Sequence, residues 1–227
     1  MRPTDLVIFD LDGTLIDSKA DLAQAVNATR VHMNLPPIDN ELVSSYVGNG
    51  APVLVRKALG PAYSDEEVQK ALEYFLGFYR DHMLDHTTLY AGGKECLDRL
   101  RAAGVLLAVL TNKPVRFSSE ILSGLGVRDH FFRVYGGNSF EKKKPDPVGV
   151  EKLLEESGVA RERTLMVGDS SVDIRTARNA GLPVVGVTFG FQPETLMEEP
   201  PDWLADSLAE VADIVLAERD KEGGIGT

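Results

Sequence analysis

The sequence predicts an α/β protein, a parallel sheet with helices on both faces, interrupted early by a small all-helical lobe. Three observations predict it. Short apolar runs at Leu6 to Phe9, Val105 to Leu110, Leu165 to Val167 and Val184 to Val187, with a weaker one at Phe131 to Tyr135, do not alternate with polar residues. Such runs suit strands buried on both faces. Helical patterns separate them and close on glycine: Lys94 to Ala103 before Gly104, Arg116 to Leu125 before Gly126, Pro147 to Ser157 before Gly158, and Asp173 to Ala180 before Gly181. Glycine is the usual residue just past a helix C-terminus. Finally, 95 positions separate Asp10 from Val105, where a strand–helix–strand unit needs only about 30.

The intervening elements read as helices. Lys19 to Met33 follows a cap at Asp17 or Ser18, Asn40 opens a second helix and Ala51 to Leu59 forms a third. Ser64-Asp65-Glu66-Glu67 is a capping box that opens a fourth, running to about His82. The chain therefore divides into a core domain of residues 1–15 and 89–227 and a helical domain of residues 16–88, with hinge-prone residues at Thr87, Thr88, Gly92 and Gly93. Lys221 to Thr227 reads as a frayed tail.

Composition narrows the partners. The 227 residues carry 24 Lys and Arg against 35 Asp and Glu, a net charge of −11. That field repels polyanions, so neither nucleic acid nor an anionic membrane is expected. A small anionic substrate stays compatible with it, because a few local cations or a bound metal outweigh a diffuse field at short range. The lone Cys96 cannot form an intramolecular disulfide and fits a reduced, cytoplasmic setting. No apolar run approaches 18 residues, so no membrane span is expected. A monomer and a small homo-oligomer both stay open. The four histidines form no catalytic grouping, and Gly48-Asn49-Gly50 lacks the Gly-Lys-Ser/Thr that completes a phosphate loop.

Chemistry-bearing residues follow the strands. Phe9 runs into Asp10 and Asp12, Leu110 into Thr111 and Asn112, and Val167 into Asp169 and Asp173. In an open parallel sheet these strand ends share one crevice. Taken singly, each residue serves equally well to cap a helix or turn the chain. Together, four carboxylates repel each other unless a cation joins them. Mg²⁺ accepts one or two carboxylates and leaves positions for phosphate oxygens, which suggests phosphoryl chemistry. Lys144, third in the run Lys142-Lys143-Lys144 and restricted by Pro145, is the best placed of the three lysines to neutralise a phosphate.

These residues fall into four segments that, in order, resemble the motifs of the haloacid dehalogenase-like hydrolase superfamily: Phe9-Asp10-Leu11-Asp12-Gly13-Thr14-Leu15, Leu110-Thr111-Asn112-Lys113, Lys144-Pro145-Asp146-Pro147, and Gly168-Asp169-Ser170-Ser171-Val172-Asp173. The resemblance implies a Rossmann-like core with an α-helical cap inserted after the first motif. Tyr46-Val47-Gly48-Asn49-Gly50 and Leu54-Val55-Arg56-Lys57-Ala58-Leu59 are similar to the cap of bacterial phosphoglycolate phosphatases, and Leu89-Tyr90-Ala91-Gly92 also resembles that group, although proline is usual where Ala91 stands.

The resemblance also implies roles. Asp10 would be the nucleophile that forms an aspartyl-phosphate, and Asp12 the general acid and base. Asp10, the Asp12 carbonyl and Asp169 would hold Mg²⁺, with Asp173 as a further ligand or supporting partner. Thr111 and the Asn112 backbone would hydrogen-bond the phosphoryl group, and Lys144 would neutralise its growing charge. In the cap, Gly48 would border the substrate and Arg56 would pair with a substrate carboxylate. The expected substrate is a small phosphate ester, 2-phosphoglycolate first. Sugar phosphates, pyrophosphate or a sugar phosphomutase reaction share the same motifs. A phospho-accepting signalling module and a catalytically silent binding protein are the alternatives from other classes.

Overall fold

All five apolar runs form strands in the computed structural model, which describes residues 3–223, with side chains described through residue 217. The strands Leu6–Phe9 (β1), Leu106–Leu110 (β4), Arg133–Tyr135 (β5), Thr164–Gly168 (β6) and Val184–Val187 (β7) are joined by a sixth, Trp203–Ala205 (β8), in the order β5-β4-β1-β6-β7-β8. Every pairing in this sheet is parallel. Because side chains alternate along a strand, Val7, Phe9, Leu107, Val109, Leu165 and Val167 feed one buried layer, while Leu6, Ile8, Ala108, Leu110 and Met166 feed the other. Both faces being covered explains the unbroken apolar runs.

The helices Gly93–Ala102 (α5), Val115–Gly124 (α6) and Leu208–Gly223 (α9) cover the first face; Val148–Ser157 (α7) and Ser171–Asn179 (α8) cover the second. Between β1 and β4 run Lys19–His32 (α1), Asn40–Ser44 (α2), Ala51–Leu59 (α3) and Asp65–His82 (α4). Here α1 packs on the other three, and α3 packs on α4. Ser64 opens α4 with the expected capping box, its Oγ accepting from Glu67 N at 3.3 Å while Glu67 Oε2 accepts from Ser64 N at 2.8 Å. No helix among the described residues is long and apolar enough to cross a membrane.

Three features differ from the sequence reading. A two-residue antiparallel ribbon, Ile16–Asp17 (β2) with Thr88–Leu89 (β3), ties together the two points where the chain leaves and rejoins the sheet. The edge strand β8 and the helix α9 also went unread; α9 runs through Lys221 to Gly223, where a frayed tail was expected, and residues 224–227 of that tail lie outside the described residues. Its signal was present: Ser207 Oγ accepts from Glu210 N, and Glu210 Oε2 accepts from Asp206 N, a Ser-x-x-Glu helix start.

The ribbon is locked by a buried acid. Asp21, in the first turn of α1 and fully buried, accepts hydrogen bonds from His86 N at 3.0 Å and from Thr87 N and Thr87 Oγ1 at 2.8 and 2.7 Å. Removing the carboxylate strands three donors, so Asp21→Ala is expected to lower unfolding free energy by about 3 kcal/mol. An unshifted urea midpoint would contradict this role.

Candidate active site

The strand order reverses direction at β1: the chain runs outward through β4 and β5 on one side of it, then crosses back to β6, β7 and β8 on the other. That reversal opens a crevice at the C-terminal strand ends. Asp10 emerges there from β1, Thr111 from β4 and Asp169 from β6, and all three are buried. One carboxylate oxygen each from Asp10, Asp169 and Asp173 falls within 4.8 Å of the others.

One cation holds this cluster together. Lys144 Nζ, buried, donates to Asp173 Oδ1 at 2.6 Å and lies 2.8 Å from Asp10 Oδ1. The second approach has ion-pair distance without hydrogen-bond alignment, so charge rather than a directed bond holds Asp10. Burial pushes the Asp10 carboxyl up to about 6, with the charge of Asp173 adding to it and Lys144 opposing it. Burial, and then Asp173 and Asp10, likewise hold Asp169 well above the usual carboxylate range. For Lys144, burial works against the charged form, but Asp10 and Asp173 outweigh it and keep the ammonium protonated.

Neighbouring elements fix each acid. Asp169 Oδ2 accepts from Phe191 N at 2.7 Å. It also presses on the turn after β1: a Cβ at Gly13, whose φ is +82°, would sit 2.3 Å from that oxygen, so the turn tolerates only glycine. Asp173 uses its second oxygen to accept from Ser170 N and Oγ at the start of α8. Both of its oxygens are therefore engaged, one by the helix and one by Lys144.

Asp12 points to a second cation. Its Oδ1 accepts from Ser18 Oγ at 2.5 Å, and both of its oxygens lie 3.0 Å from Lys113 Nζ. Lys113 also donates to the Tyr79 hydroxyl at 2.8 Å, which reaches in from α4. Burial disfavours this ammonium too, but Asp12 and Tyr79 hold its pKa above the ordinary lysine value; burial pushes the Tyr79 hydroxyl up to about 12. The sequence gives Lys113 no role beyond its place in the second motif, because its partners lie 101 and 34 positions away, beyond any local pattern.

The remaining expected residues are distributed as follows. Asn112 Nδ2 donates to Gly48 O at 2.9 Å and Lys144 O at 3.1 Å, so its side chain joins three segments. Gly48 and Thr111 both line the cavity that contains Asp10 and Asp12. Arg56 does not: its guanidinium donates to Tyr63 O at 2.7 Å and pairs with Asp65, and it is absent from the cavity lining. The three consecutive lysines diverge. Lys144 enters the acid cluster, Lys143 donates to Asn49 O at 2.6 Å, and Lys142 pairs with Asp146 at the surface.

The α2–α3 connection is thereby held to the sheet through its carbonyls. Besides Asn112 and Lys143, Gln192 Nε2 donates to Ser45 O at 3.0 Å and to Val47 O at 2.9 Å. The approach is close enough that a Cβ on Gly50 would lie 3.1 Å from Asn112 O.

The sequence model for haloacid dehalogenase-like hydrolases matches residues 7–187, a span that contains every acid and lysine just described. The chain belongs to that family. This hydrolase is 42% identical over 220 residues to the phosphoglycolate phosphatase of Vibrio vulnificus strain CMCP6, covering 93% of this chain and 96% of the relative. It is 38% identical over 218 residues to that of Haemophilus influenzae strain 86-028NP, covering 92% and 97%. The crystal structure of a predicted phosphoglycolate phosphatase from Haemophilus somnus 129PT superposes with a TM-score of 0.88 at 34% identity, covering 94% of this chain and 99% of that one.

The hydrolase's acid cluster has the chemistry of a hard divalent-cation site: three buried oxygens of like charge, two of them on groups that burial and mutual repulsion make reluctant to ionise. Because Asp10 binds its proton more readily in the fold than in the unfolded chain, its ionisation costs stability as pH rises from about 4 through about 6. A divalent cation competes with that proton. The gain in Tm on adding a divalent cation is therefore expected to grow between about pH 5 and about pH 7.5, and to vanish in Asp169→Asn; a gain independent of pH would contradict the assignment.

Proposed function

We propose that this protein is a Mg²⁺-dependent phosphomonoester hydrolase that converts 2-phosphoglycolate to glycolate and inorganic phosphate, with residues 16–88 acting as a cap over the core of residues 1–15 and 89–227. The carrying observation is the charge arrangement at the end of β1: Asp10 beside Lys144, and Asp12 two positions on beside its own lysine. The names of relatives at 42% and 38% identity support the substrate. The lone, buried Cys96 supports a cytoplasmic setting.

Hydrolysis of a phosphate monoester is among the slowest uncatalysed reactions, so the site must remove a barrier on the order of 20 kcal/mol. A carboxylate oxygen of Asp10 attacks phosphorus in line, forming an aspartyl-phosphate as the bond to the ester oxygen breaks. Asp12 gives a proton to the departing alkoxide. It then takes one from the water that cleaves the aspartyl-phosphate, which returns Asp10 and releases phosphate. Lys144 and Thr111 face the charge growing on the phosphoryl oxygens. Mg²⁺ held by Asp10, the Asp12 carbonyl and Asp169 would further neutralise those oxygens, and Asp173 keeps Lys144 in place.

Phosphate release from 2-phosphoglycolate, run beside sugar phosphates and pyrophosphate with and without Mg²⁺, tests this reading. Selective, Mg²⁺-dependent release is expected. Asp10→Asn should abolish turnover in a folded protein, and Lys144→Ala should lower kcat by about a thousandfold. Substantial residual activity in Asp10→Asn would remove it as nucleophile.

A further inference from the structure

The reading as a phosphoglycolate phosphatase leaves open what recognises the substrate's carboxylate, since Arg56 faces Tyr63 and Asp65 instead of the cavity. We infer that Lys113 and Tyr79 together form the carboxylate-recognising pair, one supplied by the core and one by α4. This inference rests on the reading above and deepens it.

Charge narrows the choice first. Among the described residues that line the cavity, the only cations are Lys113 and Lys144. Lys144 sits between Asp10 and Asp173, on the side where phosphorus is attacked. Lys113 sits beside Asp12, the group that addresses the ester oxygen. In phosphoglycolate a single methylene separates that oxygen from the carboxylate. A substrate whose ester oxygen meets Asp12 therefore carries its second anion to the neighbourhood of Lys113.

Hydrogen-bonding capacity points the same way. Tyr79 is 1% exposed and lines the cavity. Its oxygen accepts from Lys113, but its own hydrogen has no acceptor among the described residues. Buried hydroxyls seldom leave a donor unused. A carboxylate oxygen placed between them accepts from both the ammonium and the phenol, a charge-assisted arrangement. Phe75 and Phe117, which also line the cavity, pack against the Tyr79 ring; a carboxylate entering such a wall needs paired donors to offset its lost hydration. An ester without a carboxylate leaves Tyr79 unsatisfied. The site would thus select for charge only when the helical lobe lies against the core.

The competing role for Lys113 is to hold Asp12 in position, through the two contacts at 3.0 Å. That role affects every substrate alike. The test is therefore a ratio, kcat/KM for 2-phosphoglycolate over kcat/KM for ethyl phosphate, which has the same reacting bond and no carboxylate. Tyr79→Phe keeps the ring packed against Phe75 and Phe117 and is expected to lower the ratio about tenfold; Lys113→Met is expected to lower it about a hundredfold. Competitive inhibition by glycolate should weaken in parallel. A wild-type preference that both variants retain would overturn the inference and leave the proposed function standing. A wild-type enzyme with no preference for phosphoglycolate would overturn both.

Discussion

The interaction on which the rest of the structure depends is that of Lys144 with the carboxylates of Asp10 and Asp173. The sheet's reversal at β1 forces acids from separate strands into one buried crevice, where each makes ionisation harder for the others. A single ammonium at 2.8 and 2.6 Å keeps that arrangement from flying apart, and its charge opposes the burial that makes Asp10 reluctant to ionise. The surrounding features follow from it. Asp173 gives one oxygen to Lys144 and the other to the start of α8, so the helix fixes the lysine. The turn at Gly13 has no side chain because Asp169 fills that space.

The parts of the fold that repeat a local rule were legible in the sequence. Apolar runs buried on two faces, glycines past helix ends and the Ser64 box each express constraints within a few residues of one another. The acids were legible for a related reason: topology alone sends strand ends to one place, so Asp10, Asp12 and Asp169 needed only to follow predicted strands. Lys144 stood out from its two neighbours because Pro145 restricts its backbone.

The rest depends on partners distant in sequence. Asp21 serves donors 65 and 66 positions away, and Lys113 serves a tyrosine on another lobe. Nothing near either residue announces its role. Arg56 shows the converse. Its place in a segment similar to a phosphatase cap suggests a substrate contact, whereas Asp65, nine positions on at the start of α4, offers a nearer anion. The β2–β3 ribbon is too short for periodicity to register, since two residues per strand define no alternation.

The contact between the α2–α3 connection and the sheet has a lopsided chemistry. The core supplies side-chain donors, Asn112, Lys143 and Gln192, and the lobe supplies only the carbonyls of Ser45, Val47, Gly48 and Asn49. Every residue type carries a carbonyl, so most substitutions in that connection leave the docking bonds intact; the exceptions are Gly48 and Gly50, both at positive φ, the second also pressed against Asn112. The side chains that this connection turns toward the cavity can therefore be exchanged one by one, its two glycines apart, without redesigning how the lobe seats.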